Sequence, residues 1–180
     1  MSDKVLNQKL LERCLVLAQL LKSIYPVYKN KNLNQKNFIE TILGAAIWYL
    51  PQNEKALWTG KISKRVIEIF HPENDTLPQL TKDHEFPRKV AAKELLKISW
   101  NKVSKPELKV LNLYNKKYGK FSYVTPLENR MLMKHQRTDS FVSPEISYKK
   151  ANIKLLRVTY KQLKRIRARD SKVIDQLLRK

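Results

Sequence analysis

Leu80-Thr81-Lys82-Asp83-His84-Glu85-Phe86-Pro87-Arg88-Lys89 is the stretch from which the rest of the chain is read. Leu77 and Leu80 lead in with apolar alternation that predicts a strand. Pro87 stops it, because proline has no N–H for a ladder and biases its predecessor toward extended geometry. On extended chain Asp83 and His84 point to opposite faces. One can hold a metal while the other reaches a water or a substrate atom. Histidine, with an unperturbed pKa of ~6.5, takes a proton near neutrality, and a carboxylate oxygen suits a hard cation such as Mg²⁺.

A second stretch, Val124-Thr125-Pro126-Leu127-Glu128-Asn129, opens a helix that continues to about Gln136. Thr125 is a favourable N-cap, Pro126 suits the first helical position, and Glu128 closes a capping box. Asn129 then stands in the first turn and His135 near the end. Just before it, Lys120 to Val124 alternates Phe121 and Tyr123 with Ser122 and Val124, which predicts a second strand.

A strand with Asp-His, an intervening segment, a strand, and a helix with Asn and His: this order resembles the HNH nucleases, whose ββα-metal core carries Asp-His on its first strand and Asn or His at the helix. The resemblance rests on Asp83-His84-x-x-Pro87-Arg88 and on Glu128-Asn129-x-x-Leu132-x-x-His135, and covers roughly residues 77 to 138. It implies that His84 is the general base activating water. Asp83 and Asn129 would hold one Mg²⁺ or Mn²⁺, with His135 an alternative or additional ligand. Arg88 or Lys89 would grip the scissile phosphate or its neighbour, in a microbial DNA-cutting enzyme such as a restriction, phage or mobile-element endonuclease.

The stretch between His84 and Asn129 is longer than a compact ββα core needs, so residues 88–118 are expected to be a helical insertion. Val90 to Leu96 reads helical, and Ser104-Lys105-Pro106-Glu107 reads as a capping box for a helix stopped by Gly119. Asn129 and His135, six positions apart, lie about 120° apart around a helix, while Glu128 and His135 share a face. Either Asn129 is the ligand and His135 an outlying neighbour, or Glu128 and His135 cooperate.

Charge is the strongest global signal: 37 Lys and Arg against 16 Asp and Glu give +21 over 180 residues. Such a surface calls for a polyanionic partner, nucleic acid first and anionic membrane second; it is the resemblance that implies DNA before RNA. No apolar run approaches the ~20 residues of a membrane span and no signal pattern opens the chain, so a cytoplasmic protein is expected. The one cysteine, Cys14, excludes an internal disulfide and a cysteine zinc site, and reads as a core residue. Walker A, Gly-x-Ser-x-Gly, His-Glu-x-x-His and Cys-x-x-Cys motifs are absent.

The expected fold is mainly α with a small β component. A helical N-terminal region spans residues 1–75, the HNH-like core 76–138, and a basic amphipathic C-terminal region 139–180. The first helix runs from residue 3 to 25 and ends at Tyr25-Pro26, residues 29–37 form a solvated loop, and a second, nearly all-apolar helix runs from Phe38 to Leu50. A helix, a turn at Gly60 and a second helix follow, whose Lys61, Lys64 and Arg65 suit phosphate contacts. His71 reads as a surface histidine. Residues 149–180 hold twelve Lys and Arg against Asp170 and Asp175 at apolar helical intervals, which predicts one or two basic amphipathic helices. Lys161, Lys164, Arg165 and Arg167 there, with Lys89 upstream, would meet nucleic-acid backbone, and the apolar face would pack in a homodimer rather than on a membrane. The alternatives are a non-catalytic nucleic-acid-binding protein and an RNA-cleaving nuclease of the same fold.

Overall fold

The computed structural model describes residues 3–75 and 78–179, so Leu77 lies outside the described residues. The protein is mainly α with a small four-stranded sheet. Its contacts gather into two compact units interleaved along the chain: Met1–Leu57 with Phe86–Lys120, and Trp58–Glu85 with Phe121–Lys180. The helical insertion packs with the N-terminal helices, where its apolar faces find partners.

In the first unit α1 (Asp3–Tyr28) packs along α6 (Pro106–Leu113), and α2 (Leu33–Trp48) along α5 (Arg88–Leu95). Cys14, Leu17, Ala18 and Leu21 of α1 are buried, as are Leu43 and Ile47 of α2, Leu95 of α5 and Val110 of α6. Gly44 lets α2 approach α5: a Cβ there would meet the Arg88 carbonyl oxygen at 2.9 Å. A short helix α3 (Glu54–Leu57) closes this part of the unit, and a π-helical turn, Tyr114–Tyr118, ends at Gly119.

Several local expectations are corrected here. Pro26 sits inside α1, which runs on to Tyr28. The segment expected as a loop to residue 37 is mostly α2, because the Asn32–Gln35 capping box starts the helix at Leu33, five residues before the expected start. The helix is not apolar all round: Phe38 and Ile42 are exposed and Glu40 is buried, its carboxylate accepting from the Tyr28 hydroxyl at 2.5 Å. Ser104 caps nothing; Lys105 is the N-cap of α6 and offers no side-chain bond.

The second unit is built on a sheet of order β2-β3-β1-β4. β2 (Thr81–His84) and β3 (Phe121–Val124) are antiparallel, β3 and β1 (Trp58–Ser63) parallel, and β1 and β4 (Leu155–Arg157) antiparallel. β1 is a correction, since a turn was expected at Gly60. Pairing on both sides outweighs the local turn signal, and Gly60 is absorbed at φ 75 beside a register shift. Ser63 then caps α4 (Lys64–Ile69).

After β3, α7 (Pro126–Met133) starts with the Thr125–Glu128 capping box but ends before Gln136. α8 (Pro144–Lys150) follows a Ser143 cap. The basic C-terminal region is not one helix or a helix pair alone, because β4 lies within it, ahead of α9 (Tyr160–Arg167) and α10 (Ser171–Leu178). Left-handed residues, Asn152 at φ 55 and Arg169 at φ 57, break the helical path. Leu163, Ile166, Ile174 and Leu177 are buried, and α10 packs on α4 and α9. His71 is not a free surface histidine: its Nε2 lies 3.1 Å from the Asp175 carboxylate. No helix among the described residues is long and apolar enough to cross a membrane.

Candidate functional site

The site begins at the C-terminal end of β2. Asp83 pairs with Ser122 and His84 with Phe121 across β2 and β3, and directly opposed residues share a face. Asp83 and Ser122 therefore lie on one side of the sheet, His84 and Phe121 on the other. α7 packs beside β2. Its Leu132 is buried with Val124, Tyr148, Ala151 and Ile153 in a small core.

Asp83 is 3% exposed. Its oxygens accept hydrogen bonds from Gln136 Nε2 at 3.0 and 3.2 Å and from the Tyr148 hydroxyl. Burial pushes its carboxyl up to about 6. The bonds from Tyr148 and Gln136 pull the other way, and the neighbouring charge of Glu85 adds to the rise. Both donors are neutral, so the carboxylate is oriented without being neutralised. Glu85 itself accepts from Lys61 Nζ at 2.9 Å and from Ser122 Oγ at 3.3 Å, and Ser122 Oγ lies 2.8 Å from Thr59 Oγ1.

His84 is 8% exposed, its ring 6.1 Å from that of Phe121. Burial, then the charge of Lys82, lowers its pKa to about 4. The imidazole is therefore neutral at physiological pH, the form able to accept a proton.

Asn129 stands in the first turn of α7, half-buried, its N–H bonded to the Thr125 carbonyl at 2.9 Å. Glu128 Oε2 is bound to the Thr125 N–H at 2.8 Å and to Ser63 Oγ at 2.6 Å, which ties α7 to the start of α4. That carboxylate oxygen is spent on structure. His135 lies past the helix end; its carbonyl accepts from Ser147 Oγ, and its Nε2 is buried with no hydrogen-bond partner among the described residues. The residue from this segment that bonds to Asp83 is Gln136. Neither Gln136 nor Tyr148 was expected. Their bonds span 53 and 65 residues, and no local pattern in the sequence marks either residue.

Arg88 and Lys89 open α5 in the first unit, where the Arg88 guanidinium lies 5.9 Å from the Trp48 ring centroid. Lys64 and Arg65 occupy the first turn of α4, Arg65 paired with Glu68 at 3.3 Å. On α9, Lys161 is exposed, Lys164 lies over Tyr160, and Arg165 pairs with Asp170 at 2.8 Å. Arg167 lies over the Tyr123 ring and donates to its hydroxyl at 2.8 Å.

A buried carboxylate oriented by neutral donors suits a cation, and an imidazole nitrogen without a partner suits a ligand position. Asp83 and His135 fit those roles individually. Among the described residues no three His, Cys, Asp or Glu side chains gather into a metal-holding group, so any divalent ion here would draw on Asn129, a backbone oxygen or water as well. Comparison of the chain with protein-family models, curated proteins and solved structures finds no match.

Proposed function

We propose that this chain is a metal-dependent phosphodiesterase of HNH type that cuts nucleic acid, DNA in preference to RNA. The observation that supports it is the adjacent buried pair at the end of β2: Asp83 oriented by Gln136 and Tyr148 and, among the described residues, in no ion pair, and His84 held neutral. His84 takes the proton of the attacking water. Asp83 and Asn129, with His135 as the alternative donor, hold one Mg²⁺ or Mn²⁺. A bound divalent ion supplies electrostatic relief for charge developing on the phosphate and the leaving oxygen. Gln136 and Tyr148 position Asp83, and the +21 chain draws in the polyanion. Arg88 and Lys89 contribute phosphate contacts.

A second reading, a nucleic-acid-binding protein without catalysis, draws support from the hydrogen bonds that already occupy both Asp83 oxygens. Supercoiled plasmid and structured RNA incubated with Mg²⁺, Mn²⁺ or chelator, beside a folded His84→Ala variant, separate the two. Metal-dependent cutting that disappears in the variant while binding persists is the expected result. Binding without cutting under every metal, alike in both proteins, overturns the catalytic reading.

A further inference from the structure

We infer that a cavity beside Asp83 seats one nucleotide unit of a bound nucleic-acid strand; this rests on the nucleic-acid reading above and names where the strand is held. The cavity has a volume of about 480 Å³, within the roughly 300–1,000 Å³ of small-ligand sites. Its rim carries four cations, Lys61, Lys149, Lys154 and Arg157, and one carboxylate, Glu145. Its floor is apolar, formed by the buried Tyr148 and Ile153 with the half-buried Leu155.

The arrangement of the cations argues for an anion. Lys61 and Arg157 are direct cross-strand partners in the β1–β4 ladder, and like charges placed directly opposite destabilise a sheet. Lys61 is answered by Glu85 at 2.9 Å. Among the described residues no ion pair involves Lys149, Lys154 or Arg157. A phosphate between them relieves the repulsion, and the charge-assisted bonds it accepts are stronger than neutral ones.

The floor argues for more than a phosphate. A bare oxyanion uses only the rim, whereas a sugar and base also cover the apolar surface of Tyr148, Ile153 and Leu155. Tyr148 is among the residues that line the cavity, and its hydroxyl donates to Asp83. A nucleotide seated there therefore sits one side chain away from the carboxylate assigned to the metal, where it fixes the register of the strand.

The test is binding in chelator, so that it does not depend on cutting. A fluorescent tetranucleotide, unlabelled 5′-mononucleotide and inorganic phosphate are titrated against the full chain at fixed salt. The mononucleotide is expected to displace the tetranucleotide, and inorganic phosphate to do so at least tenfold less well. Lys154→Glu/Arg157→Glu should raise the tetranucleotide Kd at least tenfold, with Lys149→Ala/Arg157→Ala as a milder pair whose thermal unfolding is compared with the parent's. Lys97→Glu/Lys102→Glu, the same charge change on exposed residues of the other unit, should change it by less than threefold. Equal loss from both reversal pairs, equal competition by phosphate and mononucleotide, or no displacement by mononucleotide each overturns the assignment. Plasmid cutting is scored separately: a chain that passes these binding tests but never cuts keeps the nucleotide seat and loses the nuclease reading.

Discussion

The neighbours Asp83 and His84 should pull stability in opposite directions as pH changes, and single substitutions should expose each pull. The Asp83 carboxyl rises from 3.8 in an open chain to about 6 in the fold. The native state therefore holds the extra proton across that window. Its contribution is fully present below pH 3.8 and is lost as pH rises through 6. At 1.36 kcal/mol per pKa unit the loss is about 3 kcal/mol. His84 falls from 6.5 to about 4, so here the unfolded chain holds the extra proton. Stability is fully present above pH 6.5 and is lost as pH falls through 4, again by about 3 kcal/mol. In the parent the two slopes largely cancel between pH 4 and 6. Asp83→Asn should become more stable relative to the parent by about 3 kcal/mol as pH goes from 4 to 6.5. His84→Gln should lose about as much relative to the parent over the same range. Urea unfolding midpoints of the three proteins, taken in chelator at half-unit pH steps, measure both differences. A difference between Asp83→Asn and the parent that stays flat across this range would refute the claim that burial loads the carboxylate.

Three further outcomes are expected. Tyr148→Phe removes one donor from the buried Asp83 carboxylate, and should cost about 1–3 kcal/mol in urea unfolding at pH 7; an unchanged midpoint would show that Gln136 alone satisfies the oxygens. Gly44→Ala places a Cβ 2.9 Å from the Arg88 carbonyl oxygen, where overpacking should cost about 1–3 kcal/mol, read as a lower midpoint. Ser63→Ala takes from α4 its cap and from Glu128 its 2.6 Å donor, and should destabilise by about 1–2 kcal/mol; Ser63→Thr, which keeps the hydroxyl, should recover most of the loss.

What the sequence made legible was local. β2, β3 and the start of α7 form where alternation, Pro87 and the Thr125–Glu128 box predict them, because each signal acts within a few residues. β1 was hidden because its strand character comes from parallel pairing with β3, more than fifty residues away, and Gly60 alone reads as a turn. Pro26 failed to stop α1 although proline disfavours the helical interior, and packing of α1 along α6 is what the local signal left out. At the site, Asp83 and His84 stood out by residue type, whereas Gln136 and Tyr148 did not. A glutamine past a helix end and a tyrosine within one carry no pattern until the fold brings them to the same carboxylate.

The interleaving of the two units bears on how the chain is made. The polypeptide crosses between them at 57/58, 85/86 and 120/121. On a ribosome, α1 and α2 emerge first but wait for α5 and α6, the partners they pack along. β1 and β2 wait for β3, which lies between them in the sheet. The first unit can close once Lys120 has left the tunnel, whereas the second still needs Phe121–Lys180. The ordinary N-terminal-first order is kept, but the first unit is completed only after Trp58–Glu85 of the second has already emerged. Until α5 and α6 emerge, the faces of α1 and α2 that pack along them stay uncovered.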